Sequence, residues 1–151
     1  NIEAVCQDAL VYDEGSREKA DIVIADLPCS GLGVLGKKTD LKYIATKQGA
    51  AELAQMQREM LDVVCRYVKS GGKLLYSTCT VNPAENEENV RWFLETHPGV
   101  ELADLREGMK EGKPEACEEL LQAVSEEGWL QLLPGIHKSD GFFIAGLRKR
   151  K

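Results

Sequence analysis

The sequence lacks the long apolar runs that mark membrane and exported proteins. No stretch of the chain approaches the roughly 18 consecutive apolar residues of a membrane-spanning helix, so none is expected to cross a bilayer. Residues 1–5 show neither the basic segment nor the apolar run of a signal peptide. A protein with neither feature is expected in the cytoplasm.

Paired cysteines and histidine clusters are also missing. The chain has five cysteines, at positions 6, 29, 65, 79 and 117, but no C-x-x-C pair, and its two histidines lie far from any cysteine pair. The odd count and the wide spacing argue against a disulfide framework, and no metal site is expected. The ordinary interpretation of any one of these cysteines is a reduced, buried, apolar side chain.

The charge balance does not by itself indicate a nucleic-acid-binding protein. The net charge of −6 argues mildly against one, because nucleic-acid-binding domains are usually basic. The chain has 151 residues, 43% of them hydrophobic, which is enough for one globular domain with its own core.

The pattern of apolar residues predicts an α/β protein with a largely parallel sheet. The run Asp21-Ile-Val-Ile-Ala25 is typical of a strand buried on both faces, and Gly71-Gly72 is expected to end the first helix. Asn82, Pro83 and Glu85 form a helix-start signal, with Asn82 as the cap. The final two strands are expected to contribute an antiparallel strand. Strands are predicted at residues 2–5, 21–25, 73–78, 100–105, 129–133 and 142–147, and helices at 48–69, 82–97 and 115–126.

Chemistry in such sheets collects beyond the carboxyl ends of the strands, here at Asp8, residues 26–31 and residues 77–82. The glycines at 31, 33 and 36 fit G-x-G-x-x-G, but a dinucleotide-binding loop needs its first glycine directly after a strand and a helix at its third. A P-loop interpretation fails because Lys38 stands where the magnesium-binding serine or threonine belongs. The glycines more simply let this loop pack close to a bulky neighbour.

Two cysteines follow two successive predicted strands. Asp26-Leu27-Pro28-Cys29 ends one strand, and Ser77-Thr78-Cys79-Thr80 ends the next. One helix separates these strands, so they are expected to be parallel neighbours whose cysteines face one crevice without a disulfide. The alternative is two core cysteines that are close by chance, and their shared position at exposed strand ends weakens it.

These residues resemble the RsmB/Sun family of ribosomal RNA cytosine-5 methyltransferases. A Pro-Cys and a Thr-Cys at successive strand ends is a specific signature of RNA cytosine-5 methyltransferases, although the family usually has alanine where Leu27 stands. The similarity runs from about residue 2 to residue 150 and is weakest across 101–130. It is carried by residues 26–35, 39–43, 53–55, 57–61 and 71–80, by Pro83 with Glu85-Asn86, and by Asp-Gly-Phe-Phe-Ile-Ala at 140–145.

The resemblance implies a Rossmann-like, S-adenosylmethionine-dependent methyltransferase fold, with a mostly parallel sheet and an antiparallel C-terminal strand. It implies methyl transfer from S-adenosylmethionine to carbon 5 of a cytosine in 16S ribosomal RNA. A thiolate that adds to carbon 6 makes carbon 5 nucleophilic enough to take the methyl group. In the family the Thr-Cys cysteine, here Cys79, attacks, and the Pro-Cys cysteine, here Cys29, assists release of the adduct. Without the resemblance, either cysteine could be the nucleophile, since DNA cytosine methyltransferases attack with a Pro-Cys cysteine.

The resemblance also concerns two carboxylates and three lysines. Asp26 is expected near the methionine end of the cofactor or the cytosine amino group. Asp8 is expected to contact the cofactor's adenine, although a turn or cap residue is an equally good interpretation of Asp8 alone. Lys37, Lys38 and Lys42 either contact RNA phosphates or are solvated loop charges.

Segments that a methyltransferase needs are not found in the sequence. Nothing resembles the family's Gly-rich cofactor loop, no acid ends a second strand for the cofactor ribose, and the helical N-terminal RNA-binding domain is absent. Residues 1–151 are therefore expected to be the C-terminal portion of one catalytic domain, inactive alone and without two central strands of its sheet. The main alternative is a catalytically silent RNA-binding or ribosome-assembly domain. A cysteine hydrolase is a third possibility and requires His137 beside Cys79.

Overall fold

The computed structural model describes residues 1–40, 46–111, 118 and 120–151. Within these residues five strands form one sheet, with three bounded α-helices, three short 3₁₀ helices and further helical residues at 118, 120 and 121. The strands are β1 (Ala20–Asp26), β2 (Val68–Thr78), β3 (Val100–Ala103), β4 (Leu130–Leu132) and β5 (Phe142–Lys149). The helices are α1 (Lys47–Cys65), α2 (Glu87–Thr96) and α3 (Leu105–Glu111), and the 3₁₀ helices are Glu14–Ser16, Leu32–Val34 and Pro83–Glu85.

The strand directions confirm the predicted sheet. The strand order is β1-β2-β5-β3, and β4 also pairs with β5. β1 and β2 are parallel, whereas β5 runs antiparallel to β2, β3 and β4. Strands β1 to β4 therefore point one way, and the C-terminal strand β5 alone opposes them. Because β5 lies inside the sheet, it makes most of the pairings antiparallel.

Helices α1 and α2 bury one face of the sheet. Leu61 of α1 and Phe93 of α2 are fully buried with Tyr76 of β2 and Phe143 of β5. The rings of Tyr76 and Phe143 meet edge to face, with centroids 6.0 Å apart. Burial of each such side chain contributes about 2 kcal/mol to folding. Among the described helices, none combines the length and apolarity that crossing a bilayer requires.

The prediction that β1 is buried on both faces is wrong for the described chain. Val23 and Ala25 pack toward the core, but Ile22 and Ile24, which alternate with them, are 63% and 69% exposed. No helix among the described residues covers these two isoleucines. The apolar run of β1 shows that its side chains are hydrophobic, but it does not show whether another element covers them.

The strand predicted at residues 2–5 is also absent from the described structure. These residues have no regular structure, and Ile2 and Val5 are 96% and 70% exposed. A strand is stabilised by hydrogen bonds to a neighbour, and in the described sheet β1 pairs with β2 alone. Residues 2–5 therefore have the apolar pattern of a strand without a partner.

The first helix ends earlier than predicted. Helix α1 stops at Cys65, and β2 begins at Val68, so Gly71-Gly72 lie inside a strand rather than after a helix. The register of β1 and β2 shifts between the pairs Ala20–Val68 and Ile22–Lys73, which leaves an irregularity around these glycines. Gly71 has a φ of +78°, which favours glycine and explains why the residue stands there.

Three other element boundaries differ from the predictions. Asn82 caps a 3₁₀ turn by accepting from the Ala84 amide at 3.3 Å, and α2 starts only after Asn86. The strand predicted at 100–105 is shorter, because Leu105 begins α3, a helix that the apolar pattern did not indicate. The helix predicted at 115–126 ends earlier, because residues 118, 120 and 121 are helical whereas residues 122–126 are not; residues 115–117 and 119 lie outside the described residues.

Candidate active site

The carboxyl ends of β1 and β2 lie side by side. Asp26 pairs with Ser77 in the parallel register, and the Leu27 amide donates to the Ser77 carbonyl at 3.2 Å. The Ser77 hydroxyl donates to Asp26 Oδ1 at 2.9 Å, which fixes one oxygen of that exposed carboxylate. The predicted parallel pairing is confirmed, and it brings the segments that follow both strands to one edge of the sheet.

Cys29 and Cys79 meet at this edge. Their sulfur atoms are 3.2 Å apart, within hydrogen-bonding distance, and either thiol can be the donor. Both side chains are half-buried and both are free thiols. The prediction that the two cysteines share one crevice without a disulfide is confirmed.

The Cys29 thiol is unusually hard to ionise, because it is partly buried. Burial raises the pKa of Cys29 to about 12, and the hydrogen bond with Cys79 adds to this effect. At neutral pH the Cys29 side chain is therefore a thiol, which can donate a hydrogen bond to the Cys79 sulfur. A thiol in this state is a poor nucleophile, because the thiolate is the reactive form.

Alkylation should report this protonation state. Below pH 12 the thiol form of Cys29 dominates, so its reaction with iodoacetamide at pH 8 should be on the order of a thousandfold slower than that of a free cysteine, and its rate should still be rising with pH in strongly alkaline solution. Peptide mass spectrometry after timed labelling measures this rate. The exposed Cys6 is the internal control and should label first. Rapid labelling of Cys29 at pH 8 would contradict the raised pKa of its thiol.

The glycine-rich loop is built for close packing. The Gly33 amide donates to the Cys79 carbonyl at 3.1 Å, and the Gly141 amide donates to the Gly33 carbonyl at 2.8 Å. A Cβ on Gly33 would lie 2.2 Å from the Gly141 carbonyl oxygen and 2.8 Å from that of Cys79, whereas a Cβ on Gly36 would meet nothing within 4 Å. The interpretation of the glycines as packing residues is confirmed at Gly33. A 3₁₀ turn of three residues follows Gly31, rather than the helix that a phosphate-binding loop needs.

The polar contacts described for Asp8 are local and include neither cysteine. Its carboxylate accepts the Leu10 amide at 2.9 Å, and its carbonyl accepts the Val11 amide at 3.0 Å, which is the geometry of a turn. Asp8 is exposed. Within the described residues its polar contacts are thus the local ones that the alternative interpretation of Asp8 anticipated. Its role toward a cofactor stays a prediction.

The lysines of the glycine-rich loop differ in their surroundings. Lys37 Nζ lies 2.5 Å from Asp140 Oδ2, so this pair joins the loop to the segment before β5. Lys38 is exposed, and Lys42 lies outside the described residues. An RNA-binding role for these three lysines stays a prediction.

His137 uses its Nδ1 atom to accept the Leu133 amide at 2.8 Å, which does not support the pairing with Cys79 that a cysteine hydrolase needs.

A buried polar cluster beside the cysteines was not anticipated from the sequence. It consists of five residues that are fully or almost fully buried, namely Gln57, Tyr76, Glu85, Asn86 and Asn89. The Asn89 amide donates to Gln57 Oε1 at 2.9 Å, and the Tyr76 hydroxyl donates to the Glu85 carbonyl. Gln57 interrupts the apolar stripe of α1, and a polar residue in such a stripe is the signal that indicates a buried partner.

Comparison with known proteins decides the family. The sequence profile described as 16S rRNA methyltransferase RsmB/F matches residues 1–148. The chain belongs to this family. The predicted resemblance is therefore confirmed at the level of family membership.

Named RsmB/F relatives match most of the chain. It is 39% identical to ribosomal RNA small subunit methyltransferase F of Cronobacter sakazakii, over 94% of the chain and 28% of that protein. It is 38% identical to the probable ribosomal RNA small subunit methyltransferase B of Bacillus subtilis, over 88% of the chain and 28% of that protein. The chain thus spans about a quarter of the length of these relatives.

Solved structures agree on the fold. NSun6 from Pyrococcus horikoshii, solved with SFG, superposes with a TM-score of 0.70 at 26% identity, over all of this chain and 35% of that one. A methyltransferase homolog from the same organism gives a TM-score of 0.61 at 31% identity, over 85% of this chain and 39% of that one. The fold of this RsmB/F chain is thus Rossmann-like, as part of an S-adenosylmethionine-dependent methyltransferase architecture.

Proposed function

We propose that residues 1–151 form the C-terminal portion of the catalytic domain of a 16S ribosomal RNA cytosine-5 methyltransferase. The complete enzyme, of which this chain is proposed to be part, transfers a methyl group from S-adenosylmethionine to carbon 5 of a cytosine through a covalent cysteine adduct. The names of the relatives, ribosomal RNA small subunit methyltransferases, support the substrate. SFG, the ligand in the NSun6 structure, is an analogue of S-adenosylmethionine, which supports the cofactor.

The single observation that carries this proposal is the 3.2 Å separation of the Cys29 and Cys79 sulfurs at two parallel strand ends. Carbon 5 of cytosine is a weak nucleophile, and a sulfur nucleophile at carbon 6 divides one difficult methylation into easier steps. A second, protonated thiol in contact with the first can assist the step in which the adduct is broken. Two thiols in one crevice match a reaction that forms and then releases a carbon–sulfur bond.

The attack is assigned to Cys79. Its sulfur forms a bond to carbon 6, and the electron pair of the carbon 5–carbon 6 double bond becomes available at carbon 5. Cys29 is unsuited to this step at neutral pH, because burial raises the pKa of its thiol to about 12. When bound, S-adenosylmethionine supplies the electrophilic methyl group that carbon 5 takes up.

Release of the product is assigned to Cys29. The proton on carbon 5 leaves to solvent, the electron pair restores the carbon 5–carbon 6 double bond, and the bond from carbon 6 to the Cys79 sulfur breaks. The Cys29 thiol, which is protonated and in hydrogen-bonding distance, donates to the departing sulfur and stabilises the charge that develops there. Cys29 therefore accelerates elimination rather than addition.

Asp26 is the proposed contact to the cofactor or to the cytosine. Its Oδ1 atom is held by Ser77, and the exposed carboxylate stands at the end of β1 beside the segment that carries Cys29. An anchored carboxylate at a strand end suits a contact with an amino group, either at the methionine end of the cofactor or on the cytosine. Lys38 and Lys37 lie on the loop that packs against Cys79 and are the proposed contacts to RNA phosphates.

A methylation assay tests this proposal. The complete enzyme is incubated with 16S ribosomal RNA and S-adenosylmethionine carrying a labelled methyl group, and the RNA is digested to nucleosides for mass spectrometry. The labelled product should be 5-methylcytidine. A methyl group on any other base, or on a cytosine atom other than carbon 5, would contradict the proposed reaction.

The 151-residue chain alone should bind S-adenosylmethionine weakly. The sequence contains no Gly-rich cofactor loop, and Asp8 makes only local polar contacts in the described structure. Titration calorimetry is expected to show no binding in the micromolar range. An affinity near 1 μM, which corresponds to about −8 kcal/mol, would place most of the cofactor site within these residues.

A further inference from the structure

Glu85 is a buried carboxylate that the proposed chemistry does not use. It is 0% exposed and ends the 3₁₀ turn Pro83–Glu85. Oε1 accepts from the Ser30 hydroxyl at 2.5 Å and from Asn82 Nδ2 at 2.9 Å, and Oε2 accepts from the Ser30 amide at 2.8 Å and from Gln57 Nε2 at 3.1 Å. Burying a carboxylate is costly unless its oxygens are hydrogen-bonded, and each oxygen here has two donors.

The donors to Glu85 flank Cys29. Ser30, the residue after Cys29, supplies two of the four hydrogen bonds. Gln57 Nε2, which donates to Glu85, also donates to the carbonyl of Pro28, the residue before Cys29, at 2.9 Å. Glu85 thus holds the Cys29 loop directly through Ser30 and indirectly through Gln57.

The next residue, Asn86, holds the neighbours of Cys79 in the same way. Asn86 Oδ1 accepts the Thr78 hydroxyl at 2.6 Å, and Nδ2 donates to the Thr80 carbonyl at 3.0 Å. The hydrogen bonds around Glu85 and those around Asn86 are connected, because the hydroxyls of Ser30 and Thr80 are 2.8 Å apart, within hydrogen-bonding distance. Two consecutive buried side chains therefore fix the residues next to both cysteines.

We propose that Glu85 is a positioning residue that sets the separation of the Cys29 and Cys79 sulfurs by clamping Ser30. The effect of Glu85 on turnover rests on the proposed function, whereas its effect on the distance between the two sulfurs does not. In the described structure the carboxylate contacts neither thiol, so it acts through the backbone and hydroxyl of Ser30.

The variant Glu85→Gln tests the clamp at nearly constant volume. The glutamine amide replaces one acceptor oxygen by an NH₂ group, which faces the Ser30 amide and Gln57 Nε2 in one orientation and Asn82 Nδ2 and the Ser30 hydroxyl in the other. Of these groups only the hydroxyl can accept, so one or two of the four hydrogen bonds are lost and the Cys29 loop is held less firmly beside Cys79. The effective concentration of one sulfur at the other therefore falls.

Disulfide trapping in the complete enzyme measures that concentration without RNA or cofactor. The azo reagent diamide takes two electrons and two protons from the Cys29 and Cys79 thiols, and peptide mass spectrometry follows the sulfur–sulfur bond that forms. Glu85→Gln should slow trapping at least tenfold relative to the unsubstituted enzyme. Trapping within twofold of the unsubstituted rate would overturn the proposal.

Two further variants separate positioning from general destabilisation. Val68→Ala leaves a cavity at the far end of β2, where Val68 is 1% exposed, and should lower the melting temperature without slowing trapping. An equal slowing in this control would show that loosening of the whole domain is responsible. Ser30→Ala should slow trapping about threefold, and its effect should not add to that of Glu85→Gln if both act through one contact. If Glu85→Gln does not fold, the test depends on Ser30→Ala. Disulfide trapping in Ser30→Ala at the same rate as in the unsubstituted enzyme would then overturn the proposal.

Turnover distinguishes this inference from the proposed reaction. If Cys29 assists release, Glu85→Gln should accumulate the covalent RNA adduct and lower kcat at least tenfold, with KM for RNA changed less than threefold. Slow trapping in Glu85→Gln together with a Cys29→Ser enzyme that accumulates no adduct would sustain the proposed role of Glu85 and refute the covalent reaction. Val68→Ala should form and release the adduct normally.

Discussion

Cys29→Ser in the complete enzyme should accumulate a covalent protein–RNA adduct that survives denaturation, whereas Cys79→Ser should form no adduct and lose methyl transfer altogether. A serine hydroxyl is a far poorer nucleophile than a thiolate at neutral pH, so the variant at position 79 cannot add to carbon 6. The variant at position 29 keeps the attacking sulfur. It replaces a thiol 3.2 Å from that sulfur by a hydroxyl on a shorter bond, which impairs donation during release.

A denaturing gel with labelled RNA and S-adenosylmethionine distinguishes the two variants. Cys29→Ser should give a protein band shifted by bound RNA and a multiple-turnover rate reduced by at least two orders of magnitude, in the range that a positioned acid or base contributes. Cys65→Ser is the matched control, because Cys65 is a buried cysteine on the core side of α1. A shifted band with Cys79→Ser and none with Cys29→Ser would reverse the two assignments.

Gly33→Ala should destabilise the domain and disable the site together. A Cβ on residue 33 would lie 2.2 Å from the Gly141 carbonyl oxygen and 2.8 Å from the Cys79 carbonyl oxygen, so backbone segments must move apart. Overpacking against backbone is expected to cost about 3 kcal/mol, which corresponds to a fall of about 10 °C in melting temperature for a chain of this size. The hydrogen bond from the Gly33 amide to Cys79 should weaken as well.

Gly36→Ala is the matched control in the same loop. No atom lies within 4 Å of a Cβ at residue 36, and the change should alter the free energy of unfolding by no more than about 0.5 kcal/mol. Thermal unfolding followed by circular dichroism compares the two variants. Equal melting temperatures would show that the loop does not pack against Cys79 and Gly141 as described.

The position of the two cysteines was predictable because it depends on local signals. The apolar run before Asp26, the strand before Cys79 and the single helix between them are all visible in the sequence, and the pairing rule for such units brings their ends together. The distance between the sulfurs was not predictable. It depends on Ser30, Gln57 and Glu85, and the Glu85–Ser30 contact joins residues 55 positions apart.

Glu85 shows why sequence signals alone missed the clamp. Together with Asn82 and Pro83 it matches a helix-start pattern, in which the acidic side chain returns to the cap backbone. The structure instead turns this side chain inward, because Asn86 rather than Asn82 precedes α2 and the intervening 3₁₀ turn points residue 85 at the cysteine loops. The helix-start pattern at Asn82, Pro83 and Glu85 does mark the start of a helical element, but that element is a 3₁₀ turn and not α2.

The exposed face of β1 shows a second kind of limit. The side chains of Ile22 and Ile24 satisfy the pattern of a strand buried on both sides, and the structure leaves them 63% and 69% exposed. Burial depends on what covers a surface, which is a property of packing partners and not of the strand itself. The same holds for residues 2–5, whose pattern requires a neighbouring strand.

Mapping the trapped adduct tests the covalent reaction most directly. The Cys29→Ser enzyme is incubated with RNA and S-adenosylmethionine, denatured, and digested with nuclease and protease, and the cross-linked peptide is sequenced by mass spectrometry. The cross-link should map to Cys79, with a cytidine nucleotide that carries one added methyl group. A cross-link on any other residue, or full turnover without a cross-link, would contradict the assignment of Cys79 as the nucleophile and Cys29 as the residue that assists release.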